Sequence, residues 1–141
     1  RCRCVQEAAI EAGERSDRDA EDRRRREDVH RVRRLLLREH LSADQILALV
    51  NTRHSETSKA TVYNTLNLFL EKKLIREVIV DPNKVFYDPN TRAHHHLYEV
   101  DSGRLSDIDA AQVEIRGLPE LPPGMVTEGV DLIVRVRRAQ V

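Results

Sequence analysis

The sequence predicts an α+β chain in two units: two short helices and a hairpin in its middle, then a smaller strand-rich unit. Three observations predict it. Apolar residues recur at helical spacing between residues 29 and 70, short strand-length runs begin near residue 74, and Pro, Asn and Gly turn signals separate those runs. With 141 residues, the chain has room for one compact domain or two very small ones, whose interior dimerisation would help to complete.

Residues 1–28 read as an atypical charged N-terminal arm. Arg23, Arg24, Arg25 and Arg26 alternate with acidic neighbours and apolar residues are scarce, so a solvated helix or a disordered arm is expected. The arginine run reads as solvated charge before it reads as a phosphate contact. Val29, Val32 and Leu36 then form a 3.6-residue stripe that predicts a helix reaching about Glu39. Ser42 with Gln45 has the form of a capping box and opens a helix whose apolar face is Ile46, Leu49 and Val50.

Residues 51–57 are a polar connector. Ser58 starts a helix to about Leu74 with Val62, Leu66, Phe69 and Leu70 on one side and Lys59, Tyr63, Asn64 and Asn67 on the other. Residues 74–80 and 85–87 are strand candidates around an Asp81-Pro82-Asn83-Lys84 turn. Helix, helix, hairpin over residues 29–89 is a winged helix-turn-helix domain. Lys59, Thr61, Tyr63 and Asn64 are its candidate DNA-binding residues, reaching base edges or phosphates, while Lys72, Lys73 and Arg76 could neutralise phosphates. An ordinary amphipathic helix with a solvated face is the alternative.

Residues 90–141 form the second unit. Residues 95–100 and 104–108 flank Asp101-Ser102-Gly103 and should pair as a hairpin. Residues 110–116 suggest a short helix, which the following Pro119, Pro122 and Pro123 cannot continue. Residues 130–137 carry apolar side chains at 130, 132, 134 and 136, the period of a strand with one buried face. So small a core is expected to pair with its copy in a homodimer, making this an α/β dimerisation and ligand-sensing domain.

The 24 basic and 24 acidic residues cancel, so any DNA affinity must come from a local patch. No apolar run is long enough to cross a bilayer and no signal-peptide pattern opens the chain; a soluble, cytoplasmic protein with no membrane partner is expected. Cys2 and Cys4 lack partners for a disulfide or a metal site. No nucleophile elbow, phosphate-binding glycine loop or helical His-Glu-x-x-His is present, so an enzyme is not expected.

The triplet His94-His95-His96 opens a predicted strand, where side chains alternate, so His94 and His96 share a face and His95 looks away. Two imidazoles at that spacing can ligate one metal or haem iron, with His40, Asp88, Glu99 and Glu114 available to complete such sites. Histidine clusters in surface turns can also be inert.

Residues 40–46 (His-Leu-Ser-Ala-Asp-Gln-Ile), Ala60-Thr61-Val62-Tyr63-Asn64-Thr65-Leu66, and His94-His95-His96-Leu97 with Gly103 beyond resemble the ferric uptake regulator (Fur) superfamily over about residues 40–137. The resemblance implies a winged helix, a C-terminal dimerisation unit and metal sites near the hinge. It implies a hinge site at His40, His94 and His96, with Asp88 beside Tyr87, and a second site at His95 and Glu114. A histidine that the second site would use is replaced around Glu128 and Gly129. Where many relatives carry a structural zinc Cys pair this chain has Glu99 and Ser102, so no Cys4 structural zinc is expected. That loss, the triplet and the Gly-Leu-Pro-x-Leu-Pro-Pro-Gly-Met ending look like the iron response regulator (Irr) branch, which implies haem control, with His94, His95 and His96 implicated in haem binding. The opening helix of the family has no match, so an atypical or mistranslated N-terminus is expected.

The resulting expectation is a homodimeric regulator of iron and haem homeostasis that binds a double-stranded DNA operator and responds to haem or a divalent metal. The alternatives are a conventional Fur-type repressor sensing Fe²⁺, Mn²⁺ or Zn²⁺, and a histidine-ligated metal or haem carrier that binds no DNA.

Overall fold

Helix signals and strand signals segregate along the chain, and the computed structural model follows that division. It describes residues 3–52 and 57–140, with side chains from residue 18 onward; Cys2, the Cys4 side chain and positions 53–56 of the polar connector lie outside the described residues. The element order is α1 (Arg3–Leu36), α2 (Ala43–Asn51), α3 (Lys59–Glu71), β1 (Arg76–Asp81), β2 (Lys84–Asp88), β3 (His94–Glu99), β4 (Arg104–Asp109), a single 3-10 turn (Ala110–Gln112) and β5 (Ile133–Val136). This is the α+β class, a helix-turn-helix unit followed by a C-terminal sheet.

The charged arm is not separate from the first helix: one helix runs through it into the Val29, Val32, Leu36 stripe. Long Arg and Glu side chains have good helix propensity, and near neighbours such as Arg31 with Glu27 and Asp28 add i,i+4 and i,i+3 pairs. The helix ends at Leu36, short of Glu39, because the link that follows is drawn into a β-bridge between Leu41 and Tyr87.

The capping box forms as written: Ser42 Oγ accepts from Gln45 N–H, and Gln45 Oε1 accepts from Ser42 N–H. On α2, Ile46 and Val50 are buried while Leu49 is exposed. Ser58 caps α3, whose Val62, Leu66 and Phe69 are buried. That helix stops at Glu71 rather than Leu74. Lys73 takes a left-handed φ of 55°, letting Leu74 N–H reach Phe69 O at 2.9 Å and Lys73 N–H reach Leu70 O at 2.9 Å, a Schellman ending.

The two hairpins have the predicted order with strand ends shifted by one or two residues. Residues 110–116 give only the 3-10 turn, since no apolar face holds a longer helix against the sheet. In the three-stranded sheet the order is β4-β3-β5, with β5 parallel to β3. The predicted inward face of the last strand does not hold in the single chain: Val130 and Val134 are exposed, while Leu132, Ile133 and Val136 are half-buried. β5 is an edge strand, and that face is only partly covered.

Two cores share the β1–β2 hairpin. Ile75 and Tyr87 pack with the helices, among Val32, Leu36, Ile46, Val62 and Leu66. Val78, Val80 and Phe86 pack with Tyr98 and Leu105 of the C-terminal sheet. Burying each such side chain contributes roughly 1.5–3 kcal/mol, so the hairpin is held from both sides. Arg135 Nε donates to Val80 O at 2.9 Å and Lys84 Nζ to the Tyr98 hydroxyl at 2.9 Å, fastening the same contact.

Candidate metal centre and nucleic-acid face

Backbone pairing, more than any single side chain, builds the centre. The Leu41–Tyr87 bridge, sealed by Tyr87 N–H to Leu41 O at 2.9 Å, places the preceding His40 beside the following Asp88. The β3–β4 register sets His96 opposite Asp107, and the two-residue period puts His94 on the same face as His96. Four separate segments therefore deliver their polar ends to one point.

At that point the ligand atoms crowd. Nε2 of His94 and Nε2 of His96 are 3.0 Å apart. His40 Nε2 is 2.8 Å from Asp107 Oδ1 and 3.3 Å from Asp88 Oδ1; His94 Nε2 is 3.0 Å from Asp88 Oδ2 and 3.3 Å from Asp107 Oδ1; His96 Nε2 is 3.4 Å from Asp88 Oδ2. His40 Nε2 nonetheless has no hydrogen-bond alignment with any partner. Close approach without alignment leaves the His40 Nε2 turned toward the cluster with no hydrogen bond of its own. One atom from each of His40, His94, His96 and Asp107 lies within 4.8 Å of all the others, and no other such group occurs among the described residues.

Burial sharpens the electrostatics. Asp88 is fully buried, which alone would raise its pKa, but His40, His96, Asn90 N–H and Arg76 together hold its carboxyl well below the usual carboxylate range. His40 is also pushed down by burial, yet the Asp88 and Asp107 carboxylates outweigh that and raise it above 6.5. Around the cluster stand groups that orient it. His94 Nδ1 lies 2.8 Å from Arg92 O, which assigns the proton to Nδ1 and leaves the Nε2 lone pair facing inward. Asn90 N–H donates to Asp88 Oδ1 at 2.7 Å and its side-chain amide to Asp107 Oδ2 at 3.1 Å. A polar cleft of about 770 Å³, lined by Arg38, Gln45, Arg104 and Ser106, opens onto His40 and Asp107.

The sequence-derived ligands divide. His40, Asp88, His94 and His96 come together. Asp107 joins them and was missed, although the predicted hairpin contained the signal: a turn at residues 101–103 pairs 96 with 107. His95 faces away, its Nδ1 accepting from Leu132 N–H at 3.4 Å, and Glu114 is paired with Arg116 on the surface. Glu99 accepts from the Ser102 hydroxyl at 2.8 Å.

On α3, Lys59, Tyr63, Asn64 and Asn67 are exposed on the side opposite the buried stripe. Lys59 lies over the Tyr63 ring and within 3.6 Å of Asp44. Thr61 takes part in the helix start, its N–H donating to Ser58 Oγ at 3.1 Å. Arg76 is corrected: its guanidinium turns into the cluster, to Asp88, His94 and Asp131, rather than out toward a phosphate. Its position at the first residue of β1, beside the end of β2, aims it there.

Residues 23–121 match the ferric uptake regulator family. The chain belongs to that family. The ferric uptake regulation protein of Cupriavidus metallidurans is 31% identical over 78 residues, 55% of this chain and 54% of the relative. The chain spans about half the length of the curated relatives it matches. Solved family folds superpose more widely: the Campylobacter jejuni peroxide stress regulator has a TM-score of 0.61 at 19% identity, covering 89% of this chain and 96% of the other. The Francisella tularensis ferric uptake regulator, solved with iron, has a TM-score of 0.59 at 19% identity, covering 79% and 88%. At these identities the ferric uptake regulator likeness fixes the fold. No helix is long and apolar enough to cross a membrane among the described residues.

Proposed function

We infer that the chain is a metal-responsive, DNA-binding transcriptional regulator, working in the cytoplasm as a homodimer on a double-stranded operator. The observation that carries this reading is the convergence of three imidazole Nε2 atoms and the Asp107 carboxylate on one centre, with the Asp88 carboxylate beside the imidazoles, between the helices and the C-terminal sheet. The set fits an ion: the Arg92 carbonyl beside His94 Nδ1 favours the tautomer with a free Nε2 lone pair, and His40 has an unaligned Nε2. Mixed nitrogen and oxygen donors suit Fe²⁺, Mn²⁺ or Zn²⁺, and the Francisella relative was solved with iron.

When bound, the ion supplies a double positive charge that neutralises the two carboxylates. The chain does the rest. His40 belongs to the α1–α2 link, Asp88 to the hairpin, and His94, His96 and Asp107 to the C-terminal sheet, so ligation fixes the helical unit against the sheet. That holds α3 at a set angle to its copy across a dimer, which a palindromic operator requires. Leu118, Leu121, Met125, Val126, Val130 and Val134 are exposed apolar side chains that a second chain would cover.

The haem-sensing reading of the Irr type draws on the same triplet. The geometry favours an ion over haem, because His94 and His96 are buried with their Nε2 atoms turned to carboxylates, and His95 points elsewhere. Titrating Mn²⁺ and haem separately into the chain–operator complex, with absorbance and DNA release followed together, separates the two. The ion reading expects Mn²⁺ alone to change DNA occupancy. A Soret shift coupled to occupancy would favour haem, and no response to either would overturn sensing.

A further inference from the structure

Arg76 is the group that the sequence would send to DNA and that the fold sends to the ligand cluster. Its Nε donates to Asp88 Oδ2 at 3.0 Å, its Nη2 is 3.1 Å from both ring nitrogens of His94 and 3.4 Å from His94 O, and its Nη1 donates to Asp131 Oδ1 at 3.2 Å. We propose that Arg76 is a resident cation that competes with the metal ion for the cluster, and that ion binding transfers its charge to Asp131. This rests on the reading of the cluster as a metal site and adds an affinity-setting residue to it.

The argument is electrostatic and steric. With the His94 proton on Nδ1, the Nε2 lone pair is what an ion would take, and the guanidinium lies within hydrogen-bonding distance of it. The guanidinium also holds Oδ2 of Asp88, the oxygen nearest His94 and His96. A divalent ion at that centre would stand a few ångströms from a fixed positive charge in a poorly solvated place, where like charges repel most strongly. An arginine cannot yield by losing its proton, so it yields by moving.

The structure supplies the destination. Asp131 already binds the far nitrogen of the guanidinium and is itself exposed, with unused acceptor capacity. It directly precedes Leu132, whose carbonyl accepts from His96 N–H at 3.0 Å and whose N–H donates to His95. A shift of Arg76 from Asp88 and His94 toward Asp131 therefore tightens the tie between β1 and the segment entering β5. The ligand state is passed to the edge strand through one side chain.

Calorimetric titration of Mn²⁺ into the metal-free full chain tests this. Arg76→Gln is expected to raise Mn²⁺ affinity about tenfold, the scale on which groups outside the ligand set act on a metal, and Asp131→Asn to lower it by a smaller factor, about threefold. The double variant is expected to match Arg76→Gln, because without the arginine Asp131 has nothing to receive. An unchanged or weaker site in Arg76→Gln overturns the competition, and an Asp131→Asn effect that persists in the Arg76→Gln background overturns the transfer. Should Arg76→Gln fail to fold by circular dichroism, Arg76→Lys carries the same test, with a smaller rise expected and no rise contradicting it. A wild-type chain that binds no Mn²⁺ sinks the metal reading together with this one, whereas wild-type binding without the rise sinks this one alone.

Discussion

His40, on the link between α1 and α2, brings its Nε2 to 2.8 Å from Oδ1 of Asp107 on β4. A residue of the helical half, partly buried, thus shares a centre with an exposed residue of the sheet half. Opposed charge draws the halves together, and an ion among them would be held by residues of both.

The protonation of His40 gives that centre a pH dependence. An ion must displace the His40 proton, and because the surrounding carboxylates raise this pKa above 6.5, competition begins on the neutral side of the ordinary value. Mn²⁺ affinity is expected to fall steadily from about pH 8 to about pH 6, the interval in which imidazoles titrate. A flat profile in a calorimetric series would contradict this.

In the metal-free chain the two shifts act on stability in opposite senses. Asp88 is lowered, so its contribution is present above the ordinary 3.8 and disappears as pH falls through the folded value. His40 is raised, so its contribution is complete below 6.5 and is lost as pH rises through the raised value. Replacing His40 by Gln should therefore remove a mildly acidic stability gain while leaving the alkaline limb unchanged. Thermal melts of both chains across pH check it.

Lys73 occupies a left-handed backbone position that glycine takes without steric penalty. Lys73→Gly is expected to stabilise the chain by about 1 kcal/mol, since a Cβ at positive φ costs roughly that amount. Urea denaturation would register it as a higher midpoint at unchanged slope.

Tyr63 stands exposed on α3 with Lys59 over its ring and contributes nothing to the buried stripe. Tyr63→Ala should weaken operator binding about tenfold, the cost of one lost base-edge contact, with an unchanged melting temperature. Fluorescence anisotropy at fixed salt measures the first and a melt the second.

Local chemistry was legible in the sequence wherever it was decided locally. Ser42 with Gln45 announced α2, and Ser58 with Val62, Leu66 and Phe69 announced α3, because caps and apolar spacing act within a few residues. His94 and His96 announced a shared face by strand alternation. Asp107 was legible only at one remove, through the register of a hairpin whose turn was recognised. Arg76 was misread because an arginine after a recognition helix looks the same whether it faces phosphate or Asp88, and only the β1–β2 pairing decides. The exposed face of β5 follows from strand order, which composition does not encode.

Metal content tests the central claim most directly. Metal-free chain equilibrated with Mn²⁺ and freed of unbound ion should retain one ion per chain, and His96→Ala and Asp107→Asn should each lose it while keeping the wild-type circular dichroism spectrum. Retention of the ion by folded His96→Ala, or no retained ion in the wild-type chain, would contradict the assignment of His40, His94, His96 and Asp107 to one metal centre.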